Sequence, residues 1–167
     1  MSRIILRQYL EIKSIEDLKD IDHPGKDYHL NLISKNEFQL NKFLYKQIGK
    51  KYNWVDRLEW TDDIWINYVS NKNLFTFILK KKDDLVGYSE LIIHKDKKEI
   101  EIAYFGILEE YFGKKLGGFL LCETIKKSFS LGVNRLWLHT CSLDHRNALK
   151  NYLSRGMNIF KTESLKL

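Results

Sequence analysis

The stretch YFGKKLGGFLL at residues 111–121 places glycines and lysines between a strand-like run and an amphipathic run. A strand that passes directly into a helix leaves the first helix amides unpaired, and with the helix dipole these amides form an anion site. The glycines allow a bulky anion to approach the backbone, while Lys114 and Lys115 add positive charge. The stretch therefore predicts a phosphate or pyrophosphate site.

The register of the glycines tests two nucleotide-binding motifs. Gly113 and Gly118 have the separation of GxxxxGK[ST], but Phe119 and Leu120 stand where a P-loop has its Lys and Ser/Thr. A GxGxxG dinucleotide motif opens a parallel βαβ series, whereas this turn comes late in the chain after an antiparallel meander. A P-loop is excluded and a dinucleotide fold is disfavoured. The alternative to an anion site is that Gly113 ends a turn while Gly117 and Gly118 allow close packing of helix on sheet.

The elements that must position this turn follow from changes in hydrophobic period. The predicted order is extended segments at 3–12 and 28–33, a helix to about 48, a helix at 62–69, strands at 74–81, 85–94 and 99–108, a helix at 115–131, a strand at 135–142, a short helix at 145–156 and a last edge strand at 157–167. This order predicts an α/β sheet with helices on its faces.

Several predicted helix ends carry capping signals. Ser34 and Glu37 have capping-box spacing, and Thr61 precedes two acidic residues at the start of the second helix. Gly132 is available as a carboxyl cap, and Asp144 is interpreted as the cap of the short helix.

Composition limits the class of protein. The chain has 167 residues and 44% hydrophobic content, so we expect one globular domain over 1–167. Charges interrupt the apolar residues at the amino terminus, and no apolar run approaches the roughly 20 residues that span a bilayer. We expect a soluble, cytoplasmic protein without membrane contact. Cys122 and Cys141 lack a CxxC or His-rich neighbourhood, so we interpret them as buried free thiols and predict no metal.

The net charge of +6 is compatible with an anionic ligand or with nucleic acid. The lysines are spread through several turns rather than gathered on one helix, so nucleic-acid binding is the less favoured alternative. The oligomeric state is left open by the sequence.

A longer pattern, IAYFGILEEYFGKKLGGFLL followed by RLWLHTCS and ALKNYLSRGM, resembles the GNAT superfamily of acyl-CoA-dependent N-acyltransferases. The match covers about Glu99 to Met157, and the order of elements from Ile4 onward is also similar to that fold. Tyr45, Trp54 and Arg57 further resemble a cluster found in a bacterial branch of the superfamily. The resemblance implies a mixed, mostly antiparallel central sheet with helices on both faces, and acetyl-CoA as co-substrate.

The superfamily's pyrophosphate turn, Gln/Arg-x-x-Gly-x-Gly/Ala, maps onto this chain with departures. Phe112 stands in the Gln/Arg position, Lys115 in the first Gly position and Gly117 in the last. The resemblance implies that the preceding strand splays from its neighbour and pairs with the pantetheine arm. Independently, Gly106 in a β run indicates a bulge or a close backbone approach. The implied cofactor-binding residues are Phe105, Gly106, Ile107, Phe112, Gly113, Lys114, Lys115, Leu116, Gly117 and Gly118.

Acyl transfer from a thioester to an amine needs a neutral amine, a donor to the oxyanion and a proton for the departing thiolate. Tyr152 stands between Ala148 and Gly156 in the superfamily's A-x-x-x-Y-x-x-x-G arrangement, which implies that it protonates the thiolate. The alternative is a half-buried core aromatic. The resemblance also implies that the backbone amide near Ile107 binds the oxyanion.

For the base, Glu101 matches the glutamate often found on the superfamily's splayed strand. Strict alternation in EIEIAYF places Glu101 and Phe105 on one face and Tyr104 on the other. The alternative for Glu101 is a solvated outward position, and Glu90 is the reserve candidate.

The acceptor side is assigned to Trp54, Arg57, Glu90 and His139. Arg57 is expected to bind an acceptor carboxylate or to form an exposed salt bridge, and His139 and His145 are candidates for acceptor binding or proton relay. The implied activity is direct transfer of an acetyl group from acetyl-CoA to a primary amine of a small molecule or peptide. The alternative is a GNAT-like module that binds acyl-CoA as a sensor or partner domain without turnover.

Overall fold

The computed structural model describes residues 3–33 and 37–167, and its strands form one mixed sheet. The elements are β1 (Ile4–Ile12), β2 (Tyr28–Leu32), α1 (Phe38–Gly49), α2 (Asp62–Val69), β3 (Leu74–Lys81), β4 (Asp84–His94), β5 (Glu99–Ile107), α3 (Leu116–Ser130), β6 (Arg135–Cys141), α4 (Ala148–Ser154) and β7 (Asn158–Lys166), with short 3₁₀ turns at 15–17 and 109–111. The predicted order of elements is confirmed.

The strands lie in the order β2-β3-β4-β5-β6-β1-β7 across the described residues. Every neighbouring pair in this order is antiparallel except β5 and β6, which are parallel. The sheet is therefore mixed and mostly antiparallel, as expected, and β7 is an edge strand.

Helices pack on both faces of the sheet because successive strand residues point to opposite sides. In β3, Ile78 packs with Leu44 of α1, whereas the next residue, Leu79, packs with Leu120 of α3. The largest cluster lies beneath α3 and α4 and includes Tyr152. The α3 face thus carries most of the apolar core.

A β-bulge in β5 corrects the predicted alternation. Glu90 pairs with Tyr104 and Leu91 pairs with Ile102, so Ala103 is an extra residue on β5. Phe105 consequently packs in the core on the α3 face, while Tyr104 contacts the aromatic residues of the opposite face. The prediction that Phe105 shares a face with Glu101 was wrong, because a bulge reverses every side chain beyond it.

The helix ends agree with some capping predictions and correct one. The proposed capping box at Ser34 lies outside the described residues. The Thr61 hydroxyl accepts a hydrogen bond from the amide of Ile64 at 3.4 Å, and Gly132 has φ +83° just after α3. Asp144 does not cap α4, since its carboxylate accepts from the Thr140 hydroxyl and from an amide at the end of β6.

Cys122 and Cys141 are free thiols, the first buried and the second partly exposed. Burial raises the pKa of Cys122 to about 11. Within the described ranges, the helices are too short or too polar to cross a bilayer.

Candidate active site

The two parallel strands separate after a short contact. β5 pairs with β6 through Glu99–Glu101 opposite Arg135–Trp137, yet β5 continues to Ile107 and β6 to Cys141. Beyond the paired part lies a cleft of about 1020 Å³ that is lined by both strands. Divergence of the strands thus opens the sheet at its middle.

Some backbone groups of β5 point toward this cleft rather than toward β4. The amide of Leu108 donates to the carbonyl of Val86 at 2.8 Å, and the antiparallel register continues back along β4. Because hydrogen-bonded pairs alternate along an antiparallel ladder, Phe105 and Ile107 direct their backbone groups away from β4. They therefore face the side from which β6 has withdrawn.

Gly106 is required by a helix contact. A Cβ built on Gly106 would lie 2.5 Å from Cγ2 of Ile48 in α1, too close for any larger residue. Gly106 was expected to mark a bulge or a close backbone approach; the group that approaches it is the side chain of Ile48, and the bulge lies at Ala103. This contact fixes α1 against the strand that borders the cleft.

The glycine turn forms the entrance to α3. Gly113 has φ +78°, and Lys115 adopts the left-handed conformation at φ +59° as the residue before the first helical turn. α3 therefore begins at Leu116, one residue later than predicted. A Cβ on Gly117 would meet its nearest atom, the side-chain nitrogen of Asn151, at 3.8 Å, which leaves open space above the helix start.

Most residues predicted to bind the cofactor line the same cleft. They are Phe105, Gly106, Ile107, Phe112, Gly113, Lys115, Leu116, Gly117 and Gly118. Lys114 is absent from the lining, and its ammonium lies 5.5 Å from the ring centre of Tyr111. The Phe112 ring contacts the ring of His145 at 5.1 Å, so an aromatic pair stands where the superfamily has a polar side chain.

Tyr152 reaches the cleft from α4 and is buried against the core. Its ring lies 6.1 Å from the ring of Phe105. Burial, with a contribution from the negative charge of Asp144, raises the pKa of Tyr152 well above its usual range. The phenol therefore keeps its proton at neutral pH, which is the state that a proton donor needs.

Glu101 lies on the opposite face of the sheet, at the end of the paired part of β5. Its Oε2 is 3.2 Å from Nε2 of His94, and its side chain is about one-fifth exposed. It lines the cleft, so the structure brings Glu101 and Tyr152 to one cavity from the two sides of the sheet.

Arg57 and Glu90 form a buried ion pair, which corrects the expected exposed salt bridge. Arg57 is 6% exposed and Glu90 is 0% exposed. Glu90 does not line the cleft, and Arg57 reaches its margin. Burial lowers the pKa of Arg57, but the adjacent carboxylate of Glu90 more than offsets this effect and raises it.

The Arg57 guanidinium is also enclosed by aromatic side chains. One of its nitrogens donates to the Tyr68 hydroxyl at 2.6 Å. The rings within 4.2 to 5.6 Å of its central carbon are those of Tyr45, Trp60, Trp65, Tyr68 and Tyr104. Arg57 therefore stabilises the segment between α1 and α2 through contacts in its interior.

Trp54 and His139, which were predicted to bind the acceptor, also line the cleft. Trp54 packs edge-on against Tyr104 with ring centres 4.7 Å apart. Desolvation lowers the pKa of His139, and the positive charge of Arg7 lowers it further, whereas Glu101 acts in the opposite direction.

Arg7 and Asn151 line the cleft and were missed by the sequence reasoning. Asn151 stands one residue before Tyr152, inside the A-x-x-x-Y-x-x-x-G arrangement, so that arrangement could have drawn attention to it. Arg7 reaches the cleft because β1 pairs with β6, with Arg7 opposite Cys141. No local signal reports a pairing between strands so distant in sequence.

Comparison with protein families identifies the fold. The model described as the acetyltransferase (GNAT) family matches residues 40–157, which is more than half of the chain. This chain belongs to the GNAT acetyltransferase family. The divergence of β5 from β6 and the glycine turn before α3 fall inside the matched part. A search of curated proteins finds no match.

Solved structures share the GNAT fold at low identity. A GCN5-related N-acetyltransferase from Sphaerobacter thermophilus is 13% identical with a TM-score of 0.77, over 99% of this chain and 52% of that one. An aminoglycoside acetyltransferase from an uncultured soil metagenomic sample is 12% identical with a TM-score of 0.66, over 80% and 90%. An IAA acetyltransferase from Bacillus cereus is 20% identical with a TM-score of 0.59, over 80% and 79%.

The chain covers 61% of a protein of unknown function from Staphylococcus epidermidis and about half of the Sphaerobacter protein. At these identities the likeness concerns the fold.

Proposed function

We propose that this GNAT protein transfers an acetyl group from acetyl-CoA directly to a primary amine of a small molecule or peptide. The observation that carries the proposal is the cleft between β5 and β6, where the backbone of Phe105 and Ile107 points away from β4 beyond the end of the β6 pairing and leads into the glycine turn. An extended acyl-thioester arm can pair with such a strand in the manner of an added strand.

The turn fits the anionic part of coenzyme A. The amides of Leu116, Gly117 and Gly118 belong to the first turn of α3, where backbone donors and the helix dipole favour a pyrophosphate. The space over Gly117 admits such a group, and Lys115 adds a positive charge at the cleft wall. When bound, acetyl-CoA supplies an activated acetyl thioester.

Three groups of this chain provide the chemistry that transfer requires. The backbone amide of Ile107 donates to the carbonyl oxygen as it gains negative charge. Glu101, in contact with His94, accepts a proton from the incoming ammonium group. Tyr152 holds its phenolic proton at the cleft wall and donates it to the departing sulfur.

A binding and turnover experiment tests the proposal. Acetyl-CoA binding is measured by calorimetry, and free CoA release is followed with a thiol reagent over a panel of primary amines. Binding with amine-dependent release supports an acetyltransferase. Tight binding without release for any amine favours the sensor alternative, which the aromatic contact of Phe112 in place of a polar side chain keeps open. Absence of binding overturns both.

A further inference from the structure

Arg7 reaches the cleft with one nitrogen of its guanidinium unbonded among the described residues. It lines the cavity, and its Nε is buried without a hydrogen-bond partner among residues 3–33 and 37–167. The carboxylate of its cross-strand neighbour Glu163 is bonded mainly to other groups, because it accepts from the Tyr9 hydroxyl at 2.9 Å and lies 2.5 Å from the ammonium of Lys161. Lys161 and Tyr9 lower the pKa of Glu163 the most, and the charge of Arg7 adds only the smallest contribution. A partly buried guanidinium whose Nε has no hydrogen-bond partner among the described residues favours an anionic ligand.

The other cations of the cleft are already committed. Arg57 is neutralised by Glu90 and enclosed by rings. Lys115 stands at the glycine turn, where the pyrophosphate is proposed to bind. Arg7 lies on the face opposite α3, since Leu10 on the other side of β1 packs in the α3 core. An anion at Arg7 is therefore distinct from the phosphates of coenzyme A.

We infer that the acceptor amine carries a carboxylate, which Arg7 binds. This inference rests on the proposed acetyl transfer. A guanidinium binds a carboxylate through two parallel hydrogen bonds, a geometry that a lysine does not offer. Arg7 takes the role that the sequence suggested for Arg57, whose charge is already paired with Glu90.

The position of Glu101 relative to Arg7 defines the shape of such an acceptor. Glu101 is opposite Trp137 on one side of β6, and Arg7 is opposite Cys141 on the other. Two strand spacings and four residues separate their Cα atoms by about 16 Å. Both side chains face the side of the sheet away from α3, so a small molecule with an amine at one end and a carboxylate at the other can lie between them.

Matched acceptors test the inference. L-phenylalanine, γ-aminobutyrate and ε-aminocaproate are compared with their carboxamides, and kcat/KM is measured from CoA release. Wild type is expected to prefer at least one carboxylate over its carboxamide by about 10- to 100-fold, the range for a hydrogen bond to a charged group. Arg7→Gln is expected to abolish this preference by lowering kcat/KM for the carboxylates much more than for the carboxamides, and Arg7→Lys to restore part of it.

Arg3→Gln is the matched control, because Arg3 precedes the same strand and lies outside the cleft lining. It removes the same charge and should keep the wild-type preference. The absence of any preference in wild type, or an equal loss for both acceptor series in Arg7→Gln, overturns the inference.

A binding measurement separates failure of this inference from failure of the proposed function. The same carboxylates and carboxamides are titrated by calorimetry into wild type and Arg7→Gln in the presence of CoA. If no amine is acetylated, the proposed function fails, yet carboxylate binding that is lost in Arg7→Gln supports a carboxylate site at Arg7. Carboxylate binding that is absent, or that survives in Arg7→Gln, overturns it.

Discussion

One nitrogen of Arg57 donates to both carboxylate oxygens of Glu90, at 2.8 and 2.9 Å, inside the protein. The pair joins the segment between α1 and α2 to β4, the neighbour of the strand that borders the cleft. Because the carboxylate offsets the desolvation cost of the buried guanidinium, and the guanidinium does the same for the carboxylate, neither charge is stable there without the other.

Removal of one partner of this pair is expected to destabilise the protein. Glu90→Gln leaves a buried guanidinium without a counter-charge and should lower the free energy of unfolding by about 3–5 kcal/mol. Urea denaturation measures the change. Arg57→Met combined with Glu90→Leu should be less destabilising than Glu90→Gln alone. As a surface control, Glu109→Gln removes the half-exposed partner of Lys51 and should leave the urea midpoint close to wild type.

Tyr152→Phe is expected to lower turnover by about 100-fold or more, because a positioned proton donor contributes 10²–10⁴-fold. Acetyl-CoA affinity should change little, since the buried ring is retained. Steady-state kinetics and calorimetry on the best acceptor of the amine panel measure both quantities. Tyr28→Phe, at the start of β2 and outside the cleft lining, serves as the control. An unchanged rate in Tyr152→Phe would exclude the donor role.

Gly117→Trp is expected to block acetyl-CoA binding while the fold persists. A Cβ at this position meets no atom closer than 3.8 Å, so the indole is accommodated by the cleft rather than by the core. Calorimetry should detect no binding, and the thermal midpoint should stay near that of wild type. Gly117→Ala is the control and should retain binding, with a stability gain of about 0.5–1 kcal/mol from the helix. Retained binding in Gly117→Trp would place the cofactor elsewhere.

Lys115→Gly separates conformation from charge at the turn. A non-glycine residue in the left-handed conformation costs roughly 1–2 kcal/mol, which glycine removes. Glycine in turn loses more backbone entropy on folding, a destabilisation of about 0.5–1 kcal/mol. The free energy of unfolding should therefore rise by about 1 kcal/mol or less. Coenzyme A affinity should nevertheless fall, because a cation is lost. Titrations at low and high salt measure this, and the affinity difference from wild type should shrink at high salt. Lys115→Arg should bind like wild type.

The titration of His139 reports the charge of Arg7. Because desolvation and Arg7 hold the pKa of His139 below its usual value of about 6.5, the folded state binds fewer protons than the unfolded state in that window. His139 therefore contributes stability above pH 6.5 that is lost as the pH falls toward its folded-state pKa. NMR should show this pKa rising in Arg7→Gln and staying constant in Arg3→Gln. A constant value in Arg7→Gln would contradict the proximity of the two groups.

Local patterns were sufficient for the elements and for one half of the site. The periodicity of β3, β4 and β5, the Thr61 cap and the glycine turn all involve residues close in sequence, and each predicted its structure. The proposed cofactor side of the cleft follows from this local order, because a strand, a turn and a helix adjacent in the chain are adjacent in space. Among the residues predicted to bind the cofactor, Lys114 alone does not line the cleft, because neighbouring residues of a turn direct their side chains differently.

The proposed acceptor side depends on contacts that no local pattern encodes. The bulge at Ala103 reverses the second half of β5, and Ile48 rather than a ligand requires Gly106. Burial of Arg57 depends on Glu90, 33 residues away, and Arg7 enters the cleft through the pairing of β1 with β6.

By itself, the sequence determined the order of the elements and the glycine turn that enters α3, because periodicity, capping and turn chemistry act over a few residues. The tertiary structure decided which charges are neutralised and which face the cleft. The physical reason is that strand pairing and burial set the register and solvation of each side chain, and both arise between residues far apart in the chain.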